Sequence, residues 1–286
     1  MTKKLIIFCF IGFALQTIVA QQIKPSIVTW GFRYPFEELC KVVQENGIVM
    51  LELLSPDKWD RARQNGCEVL VANGADLGVE RAFCNPDFHK KLQEQYFEII
   101  PKAAENGIKM IICYSGIRPH LSSEEALENC VEGLKPVVEY AEKHGVTIVM
   151  KLISSNLSKS LWWQHTYPHY ACDNIVWGAE LADRLSSPNF KLIYDVWQMN
   201  DMSADIIADI QKYSEYIAHY HIAGKDRGAI KLDDPVDYQK VIAAIRATGY
   251  TGYIGLEFLI ERQIPESIRF GVSLINNNEY ESGFKP

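Results

Sequence analysis

Short apolar runs alternate with longer amphipathic stretches along most of the chain. Eight of these runs are almost continuously apolar, which is typical of strands that are buried on both faces. They are SIVTW (26–30), IVMLELL (48–54), EVLVANG (68–74), KMIICYSG (109–116), TIVMKLIS (147–154), KLIYDVW (191–197), YIAHYHIAG (216–224) and YIGLEFL (253–259). Because helical stretches separate them, the strands are expected to pair in parallel.

The stretches between the runs carry helix signals. Ser122 and Glu125 fit a capping box, and glycines stand where several helices should end, as at Gly107 and Gly145. The predicted helices are 35–46, 56–65, 86–106, 123–144, 171–186, 203–214, 236–248 and 265–276. Eight strand–helix units without a dividing linker predict a single-domain α/β protein with the (β/α)8 architecture of a TIM barrel.

A doubly wound open sheet is the alternative to the barrel. The chain has no glycine-rich phosphate-binding fingerprint, which disfavours the nucleotide-binding versions of that fold. No nucleotide cofactor is therefore expected.

The N-terminus has the pattern of a secretory signal. Lys3 and Lys4 precede the apolar run LIIFCFIGFAL, and Ala20 offers a small residue at the cleavage point. We expect residues 1–20 to be a signal peptide and residues 21–286 to be an exported, periplasmic barrel that is not held in a membrane. The alternative is an uncleaved anchor, although the run is short for a membrane span.

Charge and cysteine content narrow the choice of function. A net charge of −7 over 286 residues argues against nonspecific binding of nucleic acid, which needs a basic surface. The six cysteines beyond the signal are scattered and form no CxxC pair, so a zinc knuckle is not expected. Buried free thiols are the simpler interpretation.

Polar residues at the strand ends are the candidate site, because the active sites of such barrels lie at the carboxyl ends of the strands. Asp195, His221 and Glu257 come from three successive strands, and their donor atoms suit Mn, Mg or Zn. Simpler roles stay open: a carboxylate bonded to loop amides, a core histidine and an ion pair. The full candidate set is Glu52, Asn73, Lys151, Asp195, Gln198, His219, His221, Arg227 and Glu257.

Several segments resemble the hydroxypyruvate isomerase-like branch of the xylose isomerase-like TIM barrels, which also includes the ketose 3-epimerases. The likeness covers nearly all of the chain after the signal. It is densest in EELCKVVQENGI, AEKHGVTIVMKLISS, YPHYACDNIVWGAEL, FKLIYDVWQM, YIAHYHIAG and ATGYTGYIGLEF. The resemblance implies a small sugar, keto-sugar or keto-acid as the substrate and a divalent metal as the cofactor. Relatives vary in oligomeric state, so a homo-oligomer stays open.

In that family four strand ends supply the metal ligands: Glu, Asp, His or Gln, and Glu. The matching positions here are Lys151, Asp195, His221 and Glu257. The first and last family ligands also move the proton between adjacent carbons, so the resemblance assigns that role to Lys151 and Glu257. A lysine at the first position removes one metal ligand and one candidate base, and its ammonium can replace the charge of the ion.

Other positions match substrate-binding residues of the family. Gln198 stands where relatives carry a histidine, in Asp195-Val196-Trp197-Gln198 instead of D-x-Y-H, and Arg227 matches a downstream arginine. Further pocket residues implied by the resemblance are His219, Asn73 and Glu52.

Three functions remain open from the sequence. The first is an isomerase or epimerase in which Glu257 and Lys151 act as acid and base. The second is a metal-free pseudoenzyme that binds a sugar or keto-sugar. The third is a lyase or hydrolase that acts on an oxidised saccharide. Tryptophans available for stacking against a sugar ring are Trp162, Trp163, Trp177 and Trp197.

Overall fold

The computed structural model describes residues 22–32, 34–156, 167–259 and 264–276. Eight strands pair in parallel in sequence order, and the last pairs with the first, so the sheet closes into a barrel. The strands are β1 (Lys24–Val28), β2 (Met50–Leu54), β3 (Glu68–Ala72), β4 (Met110–Cys113), β5 (Thr147–Lys151), β6 (Phe190–Asp195), β7 (Ile217–Ile222) and β8 (Tyr253–Leu256). The predicted (β/α)8 barrel is confirmed.

Helices follow the strands around the outside of the barrel. They are α1 (Phe36–Glu45), α2 (Trp59–Gln64), α3 (His89–Glu105), α4 (Ser123–Lys143), α5 (Ile175–Leu185), α6 (Val196–Asp201), α7 (Ile206–Tyr213), α8 (Tyr238–Ala247) and α9 (Ile264–Asn276). Apolar side chains from the strands and the inner helix faces form the core. This packing leaves the strand ends and the loops after them as the surface that can carry a site.

The predicted helix signals are confirmed. Ser122 Oγ accepts from the Glu125 backbone amide at 3.1 Å, and the Glu125 carboxylate accepts from the Ser122 amide at 2.8 Å. Gly107 and Gly145 follow their helices with φ of +73° and +64°, a left-handed conformation in which glycine avoids a side-chain clash.

Several predicted strands extend beyond the observed ones, such as KMIICYSG, where β4 ends at Cys113, and one of them continues into a helix. KLIYDVW was expected to be a strand through residue 197, but β6 ends at Asp195 and α6 begins at Val196. The Asp195 side chain caps α6 by accepting from the Gln198 backbone amide at 3.1 Å. This early turn brings Trp197 and Gln198 back to the barrel mouth.

The six cysteines in the described residues are free and buried, as predicted. No helix in the described part of the chain is both long and apolar enough to cross a membrane. The predicted signal peptide (1–20), Trp162 and Trp163 lie outside the described residues.

Candidate active site

Lys151 is the last residue of β5 and lies at the mouth of the barrel, where it is almost fully buried. Its ammonium contacts Glu257 Oε2 and lies 3.3 Å from Asp195 Oδ2. The Tyr170 hydroxyl donates to the Lys151 carbonyl at 3.0 Å and fixes the strand end. The ammonium group is thus held between two carboxylates that come from β6 and the residue after β8.

Asp195 uses its two oxygens for different purposes. Oδ1 caps α6, whereas Oδ2 contacts Lys151 and accepts from an Arg227 Nη atom at 3.0 Å. The simple expectation of a carboxylate bonded to backbone amides therefore holds for one oxygen only. The other oxygen faces the cations at the barrel mouth.

His221, on β7, bridges two buried carboxylates. Its Nδ1 lies 2.8 Å from Glu257 Oε2, and its Nε2 lies 2.9 Å from Glu52 Oε2. Both ring nitrogens therefore donate, as they do only in the imidazolium form. Burial opposes that charge, but Glu257 and Glu52 raise the pKa of His221 to about 9.

Glu52 and His219 form a deeper pair. His219 Nε2 lies 3.0 Å from both Glu52 oxygens, and His219 Nδ1 is buried without a hydrogen-bond partner in the described residues. Burial lowers the pKa of His219, so this histidine is the neutral one of the two. The two histidines instead hold the pKa of Glu52 below its ordinary value, against the effect of burial.

Backbone geometry makes room for this deep pair. Leu53 has φ of +56°, and the pairing of β2 with β3 shifts register on both sides of Glu52. On β8, a methyl group added to Gly255 would lie 2.6 Å from Glu52 Oε1 and 2.8 Å from His221 Cδ2. A residue without a side chain is therefore needed beside the carboxylate.

Glu257 receives more contacts than any other carboxylate in the cluster. Its Oε2 meets Lys151 and His221 and lies 3.3 Å from an Arg227 Nη atom. Burial alone would raise the pKa of Glu257, but these three neighbouring charges outweigh it and hold the pKa well below its ordinary value. Glu257 is thus ionised and strongly paired.

Arg227 lies in the loop after β7, where its guanidinium contacts two indoles. The guanidinium carbon is 5.4 Å from the centre of the Trp30 ring and 5.1 Å from that of Trp197, which is cation–π geometry. Asp226 and Arg227 both have positive φ, near +58° and +56°. The loop therefore accepts an unfavourable backbone conformation that brings Arg227 onto Asp195 and Glu257.

Two other predicted residues make contacts with the backbone of neighbouring segments. Gln198 is buried in α6 and accepts from the Ser154 backbone amide at 2.8 Å, which joins α6 to the loop after β5. Asn73 follows β3, is partly exposed, and donates from its backbone amide to the Leu54 carbonyl at 3.0 Å. Substrate binding by Gln198 and Asn73 stays a prediction.

Sequence reasoning missed two aromatic residues of the site. Trp30 follows β1 and donates from Nε1 to Glu257 Oε1 at 3.0 Å. Tyr114 follows β4, and its pKa is raised first by burial and then by the charge of Glu257. The strand-end rule could have found both, but SIVTW and KMIICYSG were interpreted as strand throughout. Trp177, in contrast, packs in α5 and donates to the Ser123 carbonyl.

Two groups of side chains in the described residues bring potential metal-ligand atoms within 4.8 Å of one another: Glu52, His219 and His221, and Asp195, His221 and Glu257. In the second group each donor already has a partner inside the protein. Lys151 and Arg227 contact both carboxylates, and both nitrogens of His221 face carboxylates.

Residues 40–275 match the sequence pattern of a protein family, the xylose isomerase-like TIM barrels. The chain belongs to this family. Among curated relatives, the hydroxypyruvate isomerase of Escherichia coli K12 is 21% identical over 219 residues, which are 76% of this chain and 80% of the relative.

Solved structures share the fold at low identity. A family 2 AP endonuclease from Brucella melitensis has a TM-score of 0.75 at 17% identity, covering 87% of this chain and 97% of that one. The 3-keto-D-glucoside 4-epimerase YcjR of E. coli has a TM-score of 0.72 at 16% identity, covering 90% and 100%. D-Psicose 3-epimerase from Clostridium cellulolyticum H10, solved with D-tagatose, has a TM-score of 0.67 at 16% identity, covering 91% and 93%.

Proposed function

We propose that this chain is a sugar isomerase or epimerase of the hydroxypyruvate isomerase-like kind, which moves a proton next to a carbonyl group. The observation that carries the proposal is the position of Lys151, whose ammonium lies between Asp195 and Glu257 at the barrel mouth. Family membership supports the reaction type, and the low identity to each relative leaves the substrate open.

A divalent cation does not fit this arrangement. The ion would have to displace Lys151 and Arg227 from the oxygens of Asp195 and Glu257, or add two positive charges beside them. Like charges at such distances repel strongly in a buried site. We therefore assign the electrophilic role to Lys151.

The reaction can be written with the residues of the chain alone. The C–H bond next to the carbonyl breaks, its proton passes to Glu257 Oε2, and its electron pair forms the C=C bond of an enediolate. The carbonyl π electrons move to the oxygen, where Lys151 Nζ donates a hydrogen bond. Return of the proton from Glu257 to the neighbouring carbon, with the hydroxyl proton passing between the oxygens, gives an isomer. For an epimer, the Lys151 ammonium gives a proton to the opposite face of the same carbon and then recovers one from Glu257.

Lys151 also connects substrate binding to basicity. While it contacts Glu257, that carboxylate is a weak base, because the contact is a main cause of its lowered pKa. A substrate carbonyl that draws the ammonium away from Glu257 would raise the pKa of the carboxylate when the base is required.

Proton exchange tests the activity directly. Hydroxypyruvate and a panel of ketoses are incubated with the protein in D₂O, and deuterium at the carbon next to the carbonyl is followed by NMR. We expect exchange with the parent protein, and roughly a hundredfold or greater loss in Glu257→Gln and in Lys151→Met. Exchange that survives both substitutions would contradict the assignment of these residues.

A second candidate, a metal-free pseudoenzyme that binds a sugar, is favoured by one observation. All three carboxylates of the cluster are already paired with cations or histidines, so none stands free as a base. Binding of a sugar without any deuterium exchange would select this function over the first.

Metal content tests separately whether the Lys151 ammonium replaces the charge of a metal ion. The purified chain should contain Mn, Mg and Zn well below stoichiometry, and chelation should leave its melting temperature unchanged. In Lys151→Glu, added Mn²⁺ should raise the melting temperature, because a ligand that binds only the folded state stabilises it. Tightly bound metal in the unsubstituted chain would refute this role of Lys151.

Export is part of the same proposal and rests on residues 1–20. Expression of the full chain in a Gram-negative host should place a product that begins at Gln21 in the periplasm. N-terminal sequencing of the periplasmic fraction checks this, and a retained Lys3-Lys4 segment would point to an uncleaved anchor.

A further inference from the structure

Trp30 is an exposed indole that is held in place at the mouth of the barrel. About 45% of its surface is accessible, although the charged groups it contacts are buried. Its Nε1 donates to Glu257 Oε1, and its ring lies against the Arg227 guanidinium. These two contacts hold the exposed ring in place as an apolar surface beside the proposed reacting groups.

The neighbours of Trp30 are fixed as well. Arg227 also lies against Trp197, and its carbonyl accepts from the Leu259 amide at 2.7 Å. Its side chain is only 13% exposed. The indole, the guanidinium and Glu257 therefore form one group of mutual contacts, contributed by the loops after β1, β7 and β8.

The two cationic side chains beneath this surface already face carboxylates. Lys151 and Arg227 both contact Asp195 and Glu257, and these two carboxylates are buried. A carboxylate or phosphate on a ligand would add a further negative charge beside them, and burying an unpaired charge is costly. A neutral ligand avoids that cost.

We propose that the barrel mouth selects a neutral sugar-type hydroxy-carbonyl compound whose C–H face stacks on Trp30, in preference to a keto-acid or a sugar phosphate. This inference rests on the proposed function only in placing the ligand at the same site. Aromatic rings with a few convergent polar groups are the usual lining of small-molecule sites, and the ring supplies contact area to a ligand whose hydroxyls remain hydrogen-bonded.

Calorimetric titration tests the inference. The probes are D-fructose and D-tagatose as neutral ketoses, with hydroxypyruvate and D-fructose 6-phosphate as anionic counterparts. We expect at least one neutral ketose to bind more tightly than both anions. Trp30→Ala should weaken that binding roughly tenfold, while Trp30→Phe, which keeps a ring, should lose less.

Trp177→Phe is the matched control, because Trp177 is buried in α5 and donates to the Ser123 carbonyl away from the charged cluster. It should leave ketose binding unchanged. The inference is overturned if an anion binds more tightly than the neutral ketoses, if neither ketose binds, or if Trp30→Ala binds as well as the parent protein.

Failure of this inference can be told apart from failure of the proposed function. Ketose binding that depends on Trp30 but is not accompanied by deuterium exchange would support the substrate class and refute the isomerase. Deuterium exchange confined to hydroxypyruvate would support the isomerase and refute the proposed substrate class.

Discussion

The contact between Lys151 and Asp195 can be measured by removing each charge with little change in shape. Lys151→Met keeps the unbranched stem and loses the ammonium. Asp195→Asn keeps a side-chain oxygen that can still accept from the Gln198 amide, so the cap of α6 is preserved. Together with the double variant and the parent protein, these substitutions form a double-mutant cycle.

The structure sets the size of the expected coupling. The two charged atoms lie 3.3 Å apart, with 5% and 1% of the two side chains exposed, so solvent screens them little. At an effective dielectric constant of about 20, the attraction at this distance is about 5 kcal/mol. Arg227 and Glu257 remain as alternative partners, so we expect a coupling free energy of about 2–3 kcal/mol.

Urea unfolding followed by circular dichroism at pH 7 gives the four free energies of unfolding. The matched control is the pair Lys102 and Glu98 on α3, whose atoms are 2.6 Å apart but whose side chains are 50% and 71% exposed. Its cycle, built with Lys102→Met and Glu98→Gln, should give only about 0.3–0.5 kcal/mol. A coupling for the buried pair no larger than this control would refute the role given to Lys151.

Three further predictions concern the rest of the cluster and the core. The pKa of His221 is raised from 6.5 to about 9, so the protonated histidine stabilises the folded protein fully below pH 6.5 and loses this effect as the pH rises through 9. Urea unfolding should therefore give a free energy of unfolding about 3 kcal/mol lower at pH 9.5 than at pH 6.5. His221→Gln should abolish this difference. Gly255→Ala should lower the free energy of unfolding by about 1–3 kcal/mol, because the new methyl group meets Glu52 and His221; an unchanged urea midpoint would show that the pair can move aside. The six buried cysteines should react with Ellman's reagent only after unfolding, and rapid reaction of the native protein would contradict their burial.

The fold could be predicted from the sequence because all eight strands and most of the helices have a local sequence pattern. Continuous apolar runs predicted the eight strands. Glycines such as Gly107 predicted helix ends, and the structure shows the positive φ that favours glycine there. The error at KLIYDVW has a physical cause. A single apolar helical turn and the end of a buried strand have the same composition, and the capping contact of Asp195 that separates them is a three-dimensional feature.

The candidate site could be predicted only as a set of residues. The strand-end rule identified Lys151, Asp195, His221 and Glu257, and the structure brings these four together. The sequence could not indicate that His221 donates to two carboxylates at once, because that depends on the direction of Glu52 beside the left-handed Leu53. Trp30 was missed because it directly continues an apolar run.

The shared use of Asp195 affects how the history of this protein can be inferred from its sequence. One carboxylate oxygen begins α6 and the other belongs to the ionic cluster. If the protein lost its activity, selection for stability would still retain Asp195, because loss of the cap destabilises the helix by about 1 kcal/mol. An aspartate retained here in other lineages is therefore weak support for retained catalysis, whereas the residue aligned with Lys151, which caps no helix, records changes in the chemistry more faithfully.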